Sequence, residues 1–179
     1  MKNFFLAVLC VCSFSVGFAQ KNLLPVDAGS KIHFVIKNFG LNTGGDFSGM
    51  KGTIKFDGAK PGESVFDVTV DSKTVDTDNG SRDNHLQEED YFNASKFPVI
   101  RIQSTKIEGT NKANTYMFTG NLTMKGVTKP VHFLFTATAE NGGYLFAGDF
   151  EINRRDFGVG GNSAVLNDNV KVSLSAFAK

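Results

Sequence analysis

The sequence predicts an all-β fold of eight antiparallel strands with a short helical crossover near residues 82–97. Two observations lead to this prediction. Apolar and polar residues alternate along eight segments of strand length, which is the pattern of strands that bury one face. Between the third and fourth segments lies Ser81–Pro98, a charge-dense stretch whose composition tolerates a helix.

The eight predicted strands follow one another with turn residues between them. They are Ser30–Asn38, Asp46–Asp57, Ser64–Val75, Val99–Ile107, Thr115–Met124, Thr128–Ala139, Tyr144–Asn153 and Val170–Ala178. In the first, Ile32, Phe34 and Ile36 share one face, and similar alternation recurs in the others. Gly49 and Gly52 interrupt the second strand, which indicates a bulge or a sharp bend there.

Glycine and asparagine mark the connections between these strands. Asn38–Gly45 contains three glycines and is predicted to be a turn, and Gly158–Asn169 is predicted to be a loop. Asn141-Gly142 indicates a type I′ hairpin, because both residues tolerate positive φ. Eight such strands close most simply into an up-and-down barrel, which removes the sheet edges. A two-sheet sandwich is the competing architecture, and alternation alone does not distinguish the two.

The first 19 residues have the pattern of a cleaved secretory signal peptide. A positive start precedes the apolar run Phe4–Val16, and the small residues Gly17 and Ala19 precede a cleavage site near Ala19-Gln20. A retained N-terminal anchor is the alternative. Cleavage would release a single domain, residues 20–179, into the periplasm or the medium. That mature chain has no cysteine, and we expect no transmembrane segment in it.

The composition of the mature chain excludes nucleic acid as a partner, and it is compatible with either a packed core or an apolar cavity. Without Lys2, the chain carries 18 basic and 18 acidic side chains, so it has no electrostatic footprint for nucleic acid. Fourteen of the 18 phenylalanines follow the predicted cleavage site, and there is no tryptophan. Phenylalanine has no polar group, so these rings either pack into a dense core or line an apolar cavity.

The predicted crossover contains the most crowded set of ionisable side chains. Six lie within nine residues: Arg82, Asp83, His85, Glu88, Glu89 and Asp90. Ser81 or Asp83 would cap a helix that places His85 and Glu89 on one face. A metal or acid–base site is one interpretation. We favour a solvated helix docked by Leu86, Tyr91 and Phe92, because no metal-ligand spacing is present, and we expect no metal or cofactor.

A second polar motif, Asn-Arg-Arg-Asp-Phe-Gly, follows the seventh predicted strand. Its Arg154, Arg155 and Asp156 would form an ion pair or bind an anion at the mouth of a barrel. The chain contains no nucleophile elbow, phosphate loop, dinucleotide fingerprint or catalytic cysteine. The sequence therefore predicts a protein that is not an enzyme.

The chain from about Val26 to Lys179 resembles the YceI-like family of exported polyisoprenoid-binding proteins. The most specific part is Val75–Ile107, which resembles the family pattern at Thr77, Arg82, Asp83, His85, Leu86, Asp90, Tyr91, Phe92, Phe97, Pro98, Ile100, Ile102 and Ser104. Three further segments agree: Gly45–Phe47, Gly120–Thr128 and Ile152–Gly158. The chain departs from many members at Gly29-Ser30 and Asn38, where they carry histidine.

The resemblance implies an eight-stranded lipocalin-like barrel whose lumen sequesters or carries a polyisoprenoid or similar long-chain amphiphile. The in-phase residues expected to line the tunnel are Ile32, Phe34, Ile36, Phe47, Phe66, Val68, Val70, Ile102, Phe118, Leu122, Phe133, Phe135 and Phe150. The residues expected at a polar mouth are Arg82, Asp83, His85 and Arg154. Tyr91, Phe92 and Phe97 are expected to face the apolar interior.

Two alternatives to a lipid carrier remain from the sequence. One is an enzyme acting on an isoprenoid lipid, in which Asp83, His85, Arg154 and Asp156 supply acid–base groups. The other is a structural or interaction protein whose phenylalanines fill the core and leave no cavity. The oligomeric state is also open, with a dimer among the alternatives.

Overall fold

The computed structural model describes residues 21–179, which form ten strands in one curled antiparallel sheet. The strands are β1 Lys21–Leu23, β2 Lys31–Asn38, β3 Leu41–Phe47, β4 Lys51–Phe56, β5 Val65–Asp71, β6 Val99–Gly109, β7 Thr115–Met124, β8 Val127–Glu140, β9 Gly143–Asn153 and β10 Leu166–Ala178. One short helix, α1, spans Gly80–Leu86. Single 3-10 turns occur at Asp27–Gly29, Pro61–Glu63, Ser72–Thr74 and Arg154–Phe157. The predicted signal peptide, 1–19, lies outside the described residues.

The sheet curls into a barrel because consecutive strands pair in sequence from β4 to β10, and β10 then pairs with β2. The chain between β1 and β2 closes the sheet at one end. β1 pairs with β4, and the next residues pair with the end of β10 through Leu24 and Lys179, whose backbone groups exchange two hydrogen bonds. We call this the floor end, and the opposite end, which carries the β2–β3 turn, the mouth end.

The prediction of an all-β, lipocalin-like barrel with a short helical crossover is confirmed, but the strand number of eight was wrong. β1 was not predicted, and the predicted strand Asp46–Asp57 is divided between β3 and β4. β10 also begins at Leu166, inside the segment predicted as a loop. These differences extend the sheet without changing its class.

The segment predicted as a turn, Asn38–Gly45, mostly belongs to β3. Only Phe39 and Gly40 make the turn. Gly45 is a strand residue, and the crowded interior explains why it is glycine. A Cβ at this position would stand 2.6 Å from Cζ of Phe34 and 2.7 Å from Cγ2 of Thr77. Its glycine therefore serves close packing, which composition alone does not separate from a turn.

Aromatic rings fill the floor end of the barrel. Phe56 contacts the rings of Phe66, Tyr116, Tyr144 and Phe146 edge to face, at centroid distances of 5.1–6.2 Å. Burial raises the pKa of the Tyr116 hydroxyl, which is consistent with its place in this packing. A stacked row continues the packing across the neighbouring strands β7, β8 and β9, with the ring of Phe133 lying 4.8 Å from that of Phe118 and 4.6 Å from that of Phe150. The floor end is thus solid.

We predict that Gly45→Ala lowers the free energy of unfolding by about 1–3 kcal/mol, because the new methyl group overpacks the contact with Phe34 and Thr77. Gly62→Ala is the matched control, since a Cβ there meets no atom within 4 Å. Urea denaturation of both variants measures the difference. Equal midpoints for the two variants would contradict the assignment of Gly45 to close packing.

Candidate functional site

An apolar cavity of about 410 Å³ occupies the mouth end of the barrel. This volume lies in the range typical of small-molecule sites, ~300–1,000 Å³. Its wall is formed mainly by inward-facing apolar side chains from seven strands: Ile32, Phe34, Ile36, Phe47, Val68, Val70, Ile100, Ile102, Leu122, Met124, Phe150, Ile152, Val170, Val172 and Leu174. The barrel is therefore solid at one end and hollow at the other.

Two chain segments cover the cavity at the mouth end. The crossover contributes Leu86, Tyr91 and Phe92, and the loop between β9 and β10 contributes Val159 and Val165. The ring of Phe92 packs edge to face on Phe47 at 5.3 Å. The two segments are joined where the backbone N–H of Gly160 donates to the carbonyl of Asp90 at 2.8 Å. Together they form a cap over the cavity.

The structure separates the thirteen predicted lining residues into two groups. Nine line the cavity: Ile32, Phe34, Ile36, Phe47, Val68, Val70, Ile102, Leu122 and Phe150. The other four, Phe66, Phe118, Phe133 and Phe135, lie outside its wall, within the aromatic packing that runs up from the floor end. Their predicted place on the tunnel wall is thus corrected, because they face inward at a level where the barrel is filled.

Several lining residues were missed by the sequence prediction. Ile100, Ile152, Val172 and Leu174 have the same alternation as their predicted neighbours and were detectable by it. From the crossover, Tyr91 and Phe92 face the cavity as predicted. Phe97 does not line it. Its ring packs under the β7–β8 turn, where a Cβ on Gly126 would lie 2.7 Å from Cε1 of Phe97.

A polar network holds the start of the crossover. The buried Thr77 donates to Oδ1 of Asp83 through its backbone N–H at 2.8 Å and through its hydroxyl at 2.6 Å. The same hydroxyl accepts from Nε of Arg82 at 3.0 Å. Asp83 therefore does not cap α1, whose N-cap residue is Asn79. Asp83 was predicted to lie at the polar mouth, but it holds Thr77 and does not line the cavity. Arg82, from the same prediction, does line it.

Arg82 lies at a boundary between two environments. It lines the apolar cavity and also a polar hollow of about 530 Å³ outside β2 and β3. That hollow is lined as well by His33, Asp46, Asp76 and Asp78. Within residues 21–179, the terminal nitrogens of Arg82 have no protein partner, since its only hydrogen bond runs from Nε. They remain available as donors.

His85 lines the cavity but is not part of a metal cluster. Its Nδ1 lies 2.8 Å from Oε2 of Glu88, so its acidic partner is not the predicted Glu89. Its ring packs against Tyr91 at 4.8 Å. Among the described residues, no group of three or more His, Cys, Asp or Glu side chains is placed to hold a metal ion.

Arg154 lines the cavity while all five of its N–H donors are used inside the protein. The residue is 3% exposed, and its guanidinium donates to the carbonyls of Val159, Gly161, Leu166 and Asn167 and to the carboxylate of Asp168. Its acidic partner is thus Asp168 at 2.8 Å, whereas the neighbouring Asp156 is exposed on its 3-10 turn. Arg154 fixes the loop that forms half of the cap.

The fold and the site define a small antiparallel β-barrel with an apolar chamber beneath a two-segment cap. The chain belongs to the YceI family, because the YceI-like domain model matches residues 25–178. The UPF0312 protein of Shewanella denitrificans is 31% identical over 154 residues, which cover 82% of this chain and 80% of that protein. Among residues 21–179, no helix has the length and apolar character to span a membrane.

Two solved structures share this architecture. BcnA of Burkholderia cenocepacia is similar with a TM-score of 0.82 and 26% identity, over 87% of this chain and 99% of that one. A polyisoprenoid binding domain from Saccharophagus degradans gives a TM-score of 0.70 at 14% identity, over 89% of this chain and 98% of that one. The second likeness shows the fold alone.

We predict that Arg154→Met lowers the free energy of unfolding by at least about 2 kcal/mol, because it leaves the buried carbonyl of Val159 and three partly buried carbonyls without this donor. Arg155→Met is the matched control. Arg155 is exposed, and its guanidinium donates to Oδ1 of Asn162 at 2.9 Å. Thermal unfolding and hydrogen exchange of residues 158–168 measure the effect. Unchanged protection of this loop in Arg154→Met would contradict the role of Arg154.

Proposed function

We propose that this protein is an exported lipid-binding protein that sequesters or carries a polyisoprenoid or similar long-chain amphiphile. The observation that carries the proposal is the apolar cavity at the mouth end, with the free donors of Arg82 at its boundary. An apolar chamber with a few polar groups on one side fits a molecule that has a long tail and a small head. In this proposal the tail fills the cavity and the head stays at the cap.

Burial of the tail would supply the binding energy. Each buried methylene contributes about 0.8 kcal/mol, whereas association costs an estimated 4–15 kcal/mol in lost freedom. A few isoprene units therefore suffice to make binding favourable. The Saccharophagus degradans protein of this fold is a polyisoprenoid binding domain, which supports the same ligand class here.

The polar residues near the mouth have different roles in this proposal. Arg154 and Asp83 are engaged by the protein itself, so Arg82 is the residue that would contact the head. The adjacent hollow also carries Asp76 and Asp78, whose negative charge opposes an anion. A neutral acceptor, such as a hydroxyl or carbonyl oxygen, therefore suits Arg82 better than a phosphate.

The proposed action is binding without making or breaking a bond. The four acid–base candidates do not pair with one another. His85 and Arg154 both line the cavity, but His85 lies beside Glu88 and Arg154 is bound by the loop carbonyls and Asp168. Asp83 is held by Thr77, and Asp156 is exposed. Export to the periplasm or the medium is proposed from the signal-peptide pattern of the first 19 residues.

We predict that Ile102→Trp weakens binding of all-trans-retinol, a fluorescent isoprenoid, by about tenfold or more. The indole would occupy cavity volume, and displacing even two buried methylenes costs ~1.6 kcal/mol. Gln103→Trp is the matched control, because it places the same side chain on the exposed face of the same strand. Fluorescence titration gives both dissociation constants.

Two outcomes would count against the lipid-binding proposal. One is equal retinol affinity in the Ile102→Trp and Gln103→Trp variants, which would place the ligand outside the cavity. The other is the absence of any co-purified lipid in native mass spectra of protein taken from its own host, together with no retinol binding.

We predict that Arg82→Met weakens binding of geranylgeraniol about tenfold, since a hydrogen bond from a charged donor contributes ~1.5–3 kcal/mol. Binding of the matching hydrocarbon, which has no oxygen, should be unchanged. Displacement of retinol measures both affinities, and Arg155→Met is the control for loss of charge. An equal loss for the alcohol and the hydrocarbon would show that Arg82 acts through the cap and not through the head group.

A further inference from the structure

Three hairpin turns of the barrel share one backbone geometry, and one of them has an anomalous residue. In each, two consecutive residues have positive φ: Phe39-Gly40 (51° and 77°), Lys125-Gly126 (51° and 76°) and Asn141-Gly142 (46° and 79°). The first position of such a turn favours Asn, Asp or Gly. A bulky residue at positive φ is strained there.

The contacts of the other two turns account for their residues, but those of Phe39 do not. Asn141 is a preferred residue at this position, and Lys125 donates from Nζ to the carbonyl of Gly158 at 2.6 Å. The ring of Phe39 is 74% exposed, so burial within the chain does not offset the backbone strain. An aromatic ring in this position lowers the free energy only if it meets an apolar environment outside the chain.

Phe39 belongs to a larger apolar patch at the mouth end. Leu41 is 72% exposed, and these two are the most exposed large hydrophobic residues in the described chain. Val165, which is 39% exposed, joins them because its carbonyl accepts from the backbone N–H of Phe39 at 2.9 Å. We call Phe39, Leu41 and Val165 the mouth patch.

The mouth patch is continuous with the cavity wall. Val165 itself lines the cavity, as do Asn38 and Leu166, which are paired in the register of β2 and β10. The outer surface of the patch therefore leads directly to the inner surface of the chamber. A hydrocarbon tail leaving the cavity at this edge would meet apolar side chains instead of water.

The two segments that carry the patch contain no charged side chain. Neither residues 38–45 nor residues 157–167 contain Asp, Glu, Lys or Arg, although the chain as a whole is rich in them. The polar side chains of both segments are only Asn, Ser and Thr. Charged side chains border these segments, such as Lys37, which is paired with Asn42, and Arg155, which donates to Asn162. The patch itself contains none, so it enters the headgroup region of a membrane without desolvating a charge of its own.

We infer that the mouth patch is a membrane-docking surface, which inserts into a lipid bilayer so that the amphiphile passes between membrane and cavity. The function of this step rests on the proposed lipid binding. A second copy of the chain is a poorer occupant, because three side chains present a few hundred Å² at ~150–250 Å² for each aromatic ring, and a standard interface buries about 800 Å² per partner.

The test uses the full mature chain and vesicles of phosphatidylcholine. The double variant Phe39→Asn with Leu41→Ser should reduce co-flotation with these vesicles by about tenfold or more, since both substitutions remove an apolar side chain that the bilayer would bury. Its thermal stability should be equal or higher, because Asn tolerates positive φ at the turn. Leu134→Ser is the matched control, as Leu134 is 48% exposed on the outer face of β8, away from the mouth.

A second measurement separates docking from ligand binding. The double variant should keep its affinity for retinol supplied in solution, while the rate of retinol uptake from vesicles falls with the loss of flotation. Parent protein that binds retinol but does not float with vesicles would overturn the docking inference and leave lipid binding intact. If the parent protein does not bind retinol in solution, the proposed function itself is refuted.

Lipid composition provides a further criterion. Because the mouth patch is uncharged, flotation of the parent should be similar with and without phosphatidylglycerol and should persist in high salt. Flotation that requires the anionic lipid, or an equal loss in Leu134→Ser, would overturn the assignment of docking to the mouth patch.

Discussion

Packing of aromatic rings at the floor end is the constraint on which the rest of the molecule depends. Rings around Phe56 and Phe66 fill the barrel over part of its length, and the wall above them is lined largely by valine, isoleucine and leucine. Smaller side chains around a barrel of similar girth do not meet across its axis, so a chamber remains. The floor end of the sheet therefore provides the packed core, and the mouth end provides the space for a ligand.

The cap gives that chamber a polar boundary without weakening the barrel. Its two halves are each held by a buried hydrogen-bond network, one around Thr77 and Asp83 and the other around Arg154. These residues belong to the segments that most resemble the family pattern, which explains why a charge-rich segment is compatible with an apolar chamber. Most of its polar groups bind the chain itself, and Arg82, which lines the cavity, retains free donors.

The sequence predicts which side chains face the barrel interior better than it predicts their height along the barrel. Phe118 and Leu122 lie on the same face of β7, but Phe118 joins the aromatic packing and Leu122 lines the cavity. Period-two alternation contains no information on which neighbours fill the barrel at a given height. Arg154 illustrates a second limit, because its partner Asp168 lies 14 residues away and meets it only through the fold of the intervening loop.

The closure of the sheet at the floor end also determines how the molecule is oriented when it is attached to something else. Leu24 and Lys179 are hydrogen-bonded neighbours, so both ends of the described chain leave the barrel on the side opposite the cap. A protein immobilised or fused through either terminus would therefore present its chamber outward.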